Sequence, residues 1–276
     1  MRCNALMLAP ALLLVAGCSN TGMEAPRAAL PVSPLVSNFY GETRARDVRT
    51  LVVVLHADQD SARLGAQDAF AKAAAAAIPN SAAVAILRPG YADASGRQSP
   101  GDRGTSTGDT YTLEHLGEIA TAIDAARVRY PGARTVLVGD NGGAAIAANI
   151  AGLRPNLLDA MVLVSCPCTL PEWRAHMERR DRASPWEAPV RSLDPLQTAG
   201  GVRASLKAVI LVGSDDPRAL PKFSREYAEA LALRGIATDF RVLPGKADDI
   251  LLDTQVLEAT SKLAASLPLH QRADRR

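Results

Sequence analysis

The chain has 276 residues, 47% of them hydrophobic and 22% charged, with a formal net charge of +2. Nothing in that balance argues for nucleic acid or an anionic membrane surface as a partner. In chain order, Arg2 precedes an apolar run over residues 5–16 and then Gly17, Cys18 and Ser19. This is the pattern of a secretory signal, too short to cross a bilayer as a stable helix. Its removal at residue 17 takes away one positive charge, so +2 becomes +1. Residues 18–36, rich in Pro, Ala and Ser, read as a tether. The rest, residues 37–270, suits one domain with a single large core, and the basic end 271–276 reads as a frayed tail.

Within the domain, strands are expected at 51–56, 82–87, 135–138, 160–164, 208–212 and 240–243. Helices are expected at 65–78, 113–130, 144–153, 221–234 and 250–267. Several of the helical stretches stop at or just before Pro79, Pro131 and Pro155, where proline cannot continue a helix. The strand runs are continuously apolar, as when both faces are covered. Alternation of this kind predicts right-handed crossovers and an α/β fold with a mostly parallel central sheet flanked by helices. Two segments break it, 88–110 and 167–202, and both follow strands at the carboxyl edge, where open sheets place their sites. The first reads as a functional loop and the second as a short lid carrying Trp173, His176 and Trp186.

Cys3 leaves with the signal, which leaves Cys166 and Cys168 around Pro167 in the body. No second pair of ligands stands at zinc-type spacing, so no metal and no cofactor is expected. The two cysteines are read as structural thiols, with a strained disulfide or a reactive Cys168 as the alternatives.

The stretch Val15-Ala16-Gly17-Cys18 resembles the lipobox of bacterial lipoproteins, in which the cysteine becomes acylated. The resemblance implies a lipid on Cys18, palmitate-type anchoring to the membrane and, with Ser19 following, an outer-membrane protein facing the periplasm. A second resemblance lies in TVLVGDNGGA, residues 135–144, which is similar to the nucleophile elbow of α/β-hydrolases, G-x-S-x-G. Gly139 to Gly143 fill the five places, and Asn141 stands at the nucleophile position. Asparagine tolerates the strained backbone of that tip but cannot replace an activated hydroxyl.

What the resemblance implies extends along the chain. ILVGSDD, residues 210–216, is similar to the strand and loop that carry the triad acid, at Asp216 with Asp215 its rival. LPGKADDILL, residues 243–252, is similar to the late histidine loop, with Asp248 at the histidine position. His56-Ala57-Asp58 resembles the oxyanion segment, so Ala57 and Gly142 are the expected oxyanion donors. His56, Arg88, Tyr91, Cys168 and Trp173 are expected at the pocket rim. The family's haloalkane dehalogenases and epoxide hydrolases use an aspartate in an x-D-x-G turn, which makes Asp140 an alternative nucleophile.

Two of the three triad identities are absent, so the expectation is a pseudoenzyme: a membrane-anchored hydrolase scaffold that binds a small-molecule ligand or a partner. An active hydrolase of esters or other small acyl compounds, using Asp140 or Cys168, is the alternative. An envelope scaffold protein is a third.

Overall fold

The computed structural model describes residues 33–268 apart from 43, 59–63, 183–185 and 187–188. The signal, nearly all of the tether and the tail therefore lie outside the described residues, as does His270. A seven-stranded sheet runs through the molecule: β1 (Ser37–Gly41), β2 (Thr50–Leu55), β3 (Ser81–Ile86), β4 (Arg134–Asp140), β5 (Ala160–Val164), β6 (Lys207–Gly213) and β7 (Ala237–Leu243). Their order in space is β1-β3-β2-β4-β5-β6-β7. All neighbours pair in parallel except β1, which runs antiparallel to β3 with Ser37 opposite Ile86.

The helices are α1 (Ala66–Ala77), α2 (Leu113–Arg129), α3 (Gly142–Leu153), α4 (Leu170–Arg180), α5 (Pro195–Thr198), α6 (Pro221–Leu233) and α7 (Thr254–Ala265). They cover both faces of the sheet. Leu51, Val53 and Leu55 of β2 pack with α2, α3 and α6 through Ile119, Ile146 and Phe223. Val52 and Val54 pack with α1 and α7 through Phe70 and Val256. That two-sided burial explains why β2 reads as an unbroken apolar run, each aliphatic side chain adding about 1.5–3 kcal/mol to the core.

The sequence expectations meet the structure strand by strand, with three differences. The edge strand β1, SNFYG, carries too little apolar alternation to announce itself and forms because β3 offers it a free edge. The last helix starts at Thr254 rather than 250, because the Asp253 side chain accepts from Gln255 N–H at 2.9 Å and caps it there. The lid is partly helical, containing α4 and α5. Among the described residues no helix is long and apolar enough to cross a membrane.

Parallel pairing brings the carboxyl ends of β2 to β7 to one edge. Onto that edge fall His56, Arg88, Asn141, Ser165, Asp216 and Asp248, each within a few residues of its strand's end.

Candidate active site

The elbow is built by close approach. A Cβ on Gly139 would stand 2.6 Å from Ala144 Cα, and one on Gly143 would stand 2.6 Å from His56 O. Only glycine lets α3 start so tightly against β4 and β2. At the tip, Asn141 has φ 50° and ψ −112°, a left-handed conformation few residues accept. Its N–H donates to Val164 O at 2.8 Å, and its C=O accepts from Ala144 N–H at 2.9 Å. Asp140 ends β4 with ordinary negative φ, so the tip register belongs to Asn141 and not to the alternative nucleophile Asp140.

Asp216, in the turn after β6, is buried. Its Oδ1 accepts from Ala219 N–H at 2.7 Å and Arg218 N–H at 2.9 Å. Its Oδ2 lies beside the Ser165 hydroxyl without hydrogen-bond geometry, and both oxygens are shut from solvent. Burial pushes the Asp216 carboxyl above its usual range, the backbone donors pull against the rise, and the nearby Asp248 charge adds to it. Asp248 also makes an ion pair with Arg218, Nε to Oδ2 3.9 Å. The acid and histidine positions thus lie near enough for the charge of one carboxylate to act on the other.

The described histidines are engaged elsewhere. His56 is buried; its Nε2 accepts from Arg88 N–H at 3.0 Å and its Nδ1–H donates to Ala57 O at 2.7 Å. Burial, helped by the Arg88 charge, lowers its pKa to about 3. His115 lies between Thr112 Oγ1 at 2.8 Å and Asp102 O at 2.7 Å. His176, on α4, meets Pro217 O at 2.9 Å and ties the lid to the acid loop.

The expected rim is largely interior, which corrects the sequence expectation. His56, Arg88, Cys168 and Trp173 are each at most 3% exposed, and Tyr91 is buried as well. Trp173 packs edge-on against Trp186, centroids 5.6 Å apart, and a Cβ on Gly108 would strike its ring. The tryptophans therefore pin the lid to the 88–110 loop instead of lining a pocket. Cys166 and Cys168 form a disulfide with Cα atoms 5.1 Å apart, both fully buried. The reading as free thiols is thereby overturned, since the turn at Pro167 folds the two side chains onto each other. A bonded sulfur is also no nucleophile.

Asp58, quoted in the oxyanion segment without a role of its own, is the residue the sequence reading missed. Its Oδ1 is 2.8 Å from Arg88 Nη1 and 3.4 Å from Tyr91 OH, and its Oδ2 accepts from Tyr111 OH at 2.6 Å. Burial works against the Arg88 charge, but Asp58, Tyr91 and Tyr111 outweigh it and hold the guanidinium above its ordinary pKa. The phenols stay protonated: burial is the main cause, raising Tyr91 to about 12 and Tyr111 well above its normal value. A Cβ on Gly142 would stand 2.6 Å from Asp58 Oδ1. Of the two expected oxyanion donors, Gly142 therefore lies against a carboxylate, and Ala57 immediately precedes the residue that carries it.

A cleft of about 370 Å³ opens elsewhere, between the 102–115 and 189–193 segments, bordered by Asp102, Asp109, Leu113, His115 and Arg191. It touches neither Asn141 nor Asp216. Among the described residues no cluster of His, Cys, Asp and Glu is arranged to hold a metal ion.

No protein-family model and no curated protein matches the sequence. Solved structures do match. Est1E from Butyrivibrio proteoclasticus with ferulic acid bound superposes with a TM-score of 0.64 at 12% identity, over 84% of this chain and 95% of that one. The monoacylglycerol lipase of Paleococcus ferrophilus gives 0.57 at 16% identity, over 84% and 98%. Esterase PE8 gives 0.59 at 18% identity, over 86% and 100%. With the sheet order and the strained elbow, this likeness means that the chain has the α/β-hydrolase fold.

Proposed function

We propose that this chain is a disarmed member of the α/β-hydrolases that binds its ligand without turning it over, held at the bacterial cell envelope through a lipid on Cys18. The observation that carries the reading is the elbow tip, where the Asn141 carboxamide stands at φ 50° in the nucleophile's place. A carboxamide nitrogen has its lone pair delocalised and offers no activated oxygen. The partner groups point the same way. The position where the family's triad carries its imidazole holds Asp248, whose charge acts on Asp216, so the histidine that would relay a serine proton to the leaving group is not there.

The alternative of an active hydrolase loses support on two counts. Cys168 is tied into a disulfide, and Asp140 sits one residue before the strained tip. The ligand class follows the neighbours, Est1E with ferulic acid bound and a monoacylglycerol lipase, and so is a small acyl compound or acid. The cleft of about 370 Å³ has room for one and adds charged and apolar walls, Asp109 and Arg191 beside Leu113.

The test is an assay of the purified protein on p-nitrophenyl acetate and butyrate beside Asp216→Asn. Rates at the buffer background for both proteins are expected. Ester turnover that Asp216→Asn abolishes would overturn the proposal.

A further inference from the structure

We propose that the space above Gly142 is a carboxylate site, and that the chain fills it with its own Asp58. The inference rests on the disarmed reading of the elbow and names what occupies it. Among the described residues, the side chains that hydrogen-bond or ion-pair with the Asp58 carboxylate are donors: Arg88 Nη1 at 2.8 Å and Tyr91 OH at 3.4 Å on Oδ1, and Tyr111 OH at 2.6 Å on Oδ2. A carboxylate accepts at both oxygens and donates at neither, so the lining matches it and suits no cation or amide as well.

The site is built rather than fortuitous. Arg88 is fully buried, its Nη2 donates to Thr110 Oγ1 at 3.1 Å, and its guanidinium lies 4.9 Å from the Tyr91 ring centre. Those contacts fix the guanidinium before any anion arrives. The anion also lies against Gly142, first residue of the twelve-residue α3, where the helix dipole favours negative charge. In an acyl-transfer site on this fold that is where the substrate's developing oxyanion would stand. A resident carboxylate excludes it both by volume and by charge. Asp58 thus acts as a tethered acid, engaging Arg88, Tyr91 and Tyr111 beside the elbow where the carboxylate of an acyl product would lie.

The tethered occupant is tested by removing it and supplying a free one. Thermal unfolding of Asp58→Ala is followed in sodium formate, with sodium chloride at equal ionic strength as reference. The variant is expected to melt below the parent and to recover roughly 3–6 °C once formate exceeds its Kd about tenfold, with no recovery in chloride. The parent protein and Asp58→Asn, in which the space stays filled, are expected not to respond to formate. If Asp58→Ala does not fold unaided, refolding yield is read instead, and recovery in formate alone supports the site. A formate response equal to that in chloride, or one shared by Asp58→Asn, or no recovery in either salt, overturns the proposal. Ester turnover by the parent protein would sink the disarmed reading and leave the formate result intact, so the two failures are separate.

Discussion

His56 keeps its proton on Nδ1, which donates to Ala57 O, while Nε2 accepts from Arg88 N–H, so both ring nitrogens are engaged within the protein. The ring is a clip between the end of β2 and the loop that follows β3. Burial lowers its pKa to about 3, with Arg88 adding to the effect. In the unfolded chain the ring titrates near 6.5. The unfolded state therefore binds the proton first, and the sign follows: stability is whole above pH 6.5 and is lost as pH falls towards 3. The slope approaches about 1.4 kcal/mol per pH unit in the middle of that window. His56→Gln, which keeps an acceptor near the Nε2 position, is expected to lack this component. Urea midpoints of both proteins between pH 7 and about 4.5 check it, since over that interval the Asp93 carboxyl, at about 2, stays charged when folded. Parallel slopes would show that the buried ring is not what couples folding to the proton.

At the scale of elements, the junction of β4 and α3 decides whether an elbow can exist. Gly143 presses on β2, and a Cβ there would lie 2.6 Å from His56 O. Gly143→Ala is expected to cost about 1–3 kcal/mol as overpacking, because backbone rather than a flexible side chain stands in the way. Gly117, exposed in the second turn of α2, has nothing within 4 Å of its added Cβ. Gly117→Ala is expected to gain about 0.4–1 kcal/mol from helix propensity and a less free unfolded chain. Denaturant midpoints of the two variants should move in opposite directions, and a shift of the same sign in both would undo the packing account. The elbow was legible because its signals are local: an apolar strand, glycines at fixed spacing and a residue tolerant of positive φ. The plug over it was not, since Asp58 acquires its role only where residues 88 and 91, residue 111 and residue 142 converge from three separate stretches of the chain. Ser165 shows the same limit, for its φ of 48° is imposed by the end of β5 and nothing in Ser-Cys-Pro announces it. The cysteine spacing was visible, but whether the side chains meet depends on the turn between them.

For the whole molecule, the parallel sheet gathers every strand end of interest on one edge, and the lid then seals that edge. Arg174 Nη2 donates to Trp186 O at 2.6 Å within the lid, and Leu193 N–H donates to Tyr111 O while Tyr111 N–H donates to Ser192 Oγ, each at 2.9 Å, so the lid is fastened to the end of the long loop. A body closed in this way meets its surroundings through its outer clefts and through its attachment. The attachment proposed is the lipid on Cys18, and from there to the first strand at Ser37 runs a segment rich in Pro, Ala and Ser. At about 3.1 Å per residue when extended, such a segment of roughly 18 residues spans on the order of 55 Å, enough to set the domain clear of the headgroups. Among the described residues Leu35 is the first to join a core cluster, and on the proposed arrangement anchor and body are separable. Cys18→Ser is expected to move the protein from the membrane fraction to the soluble fraction while leaving the urea midpoint of the domain within about 0.5 kcal/mol of the parent. Fractionation and unfolding on the same preparations check both halves. Retention of Cys18→Ser in the membrane fraction would mean that the folded surface, not the lipid, holds the protein there.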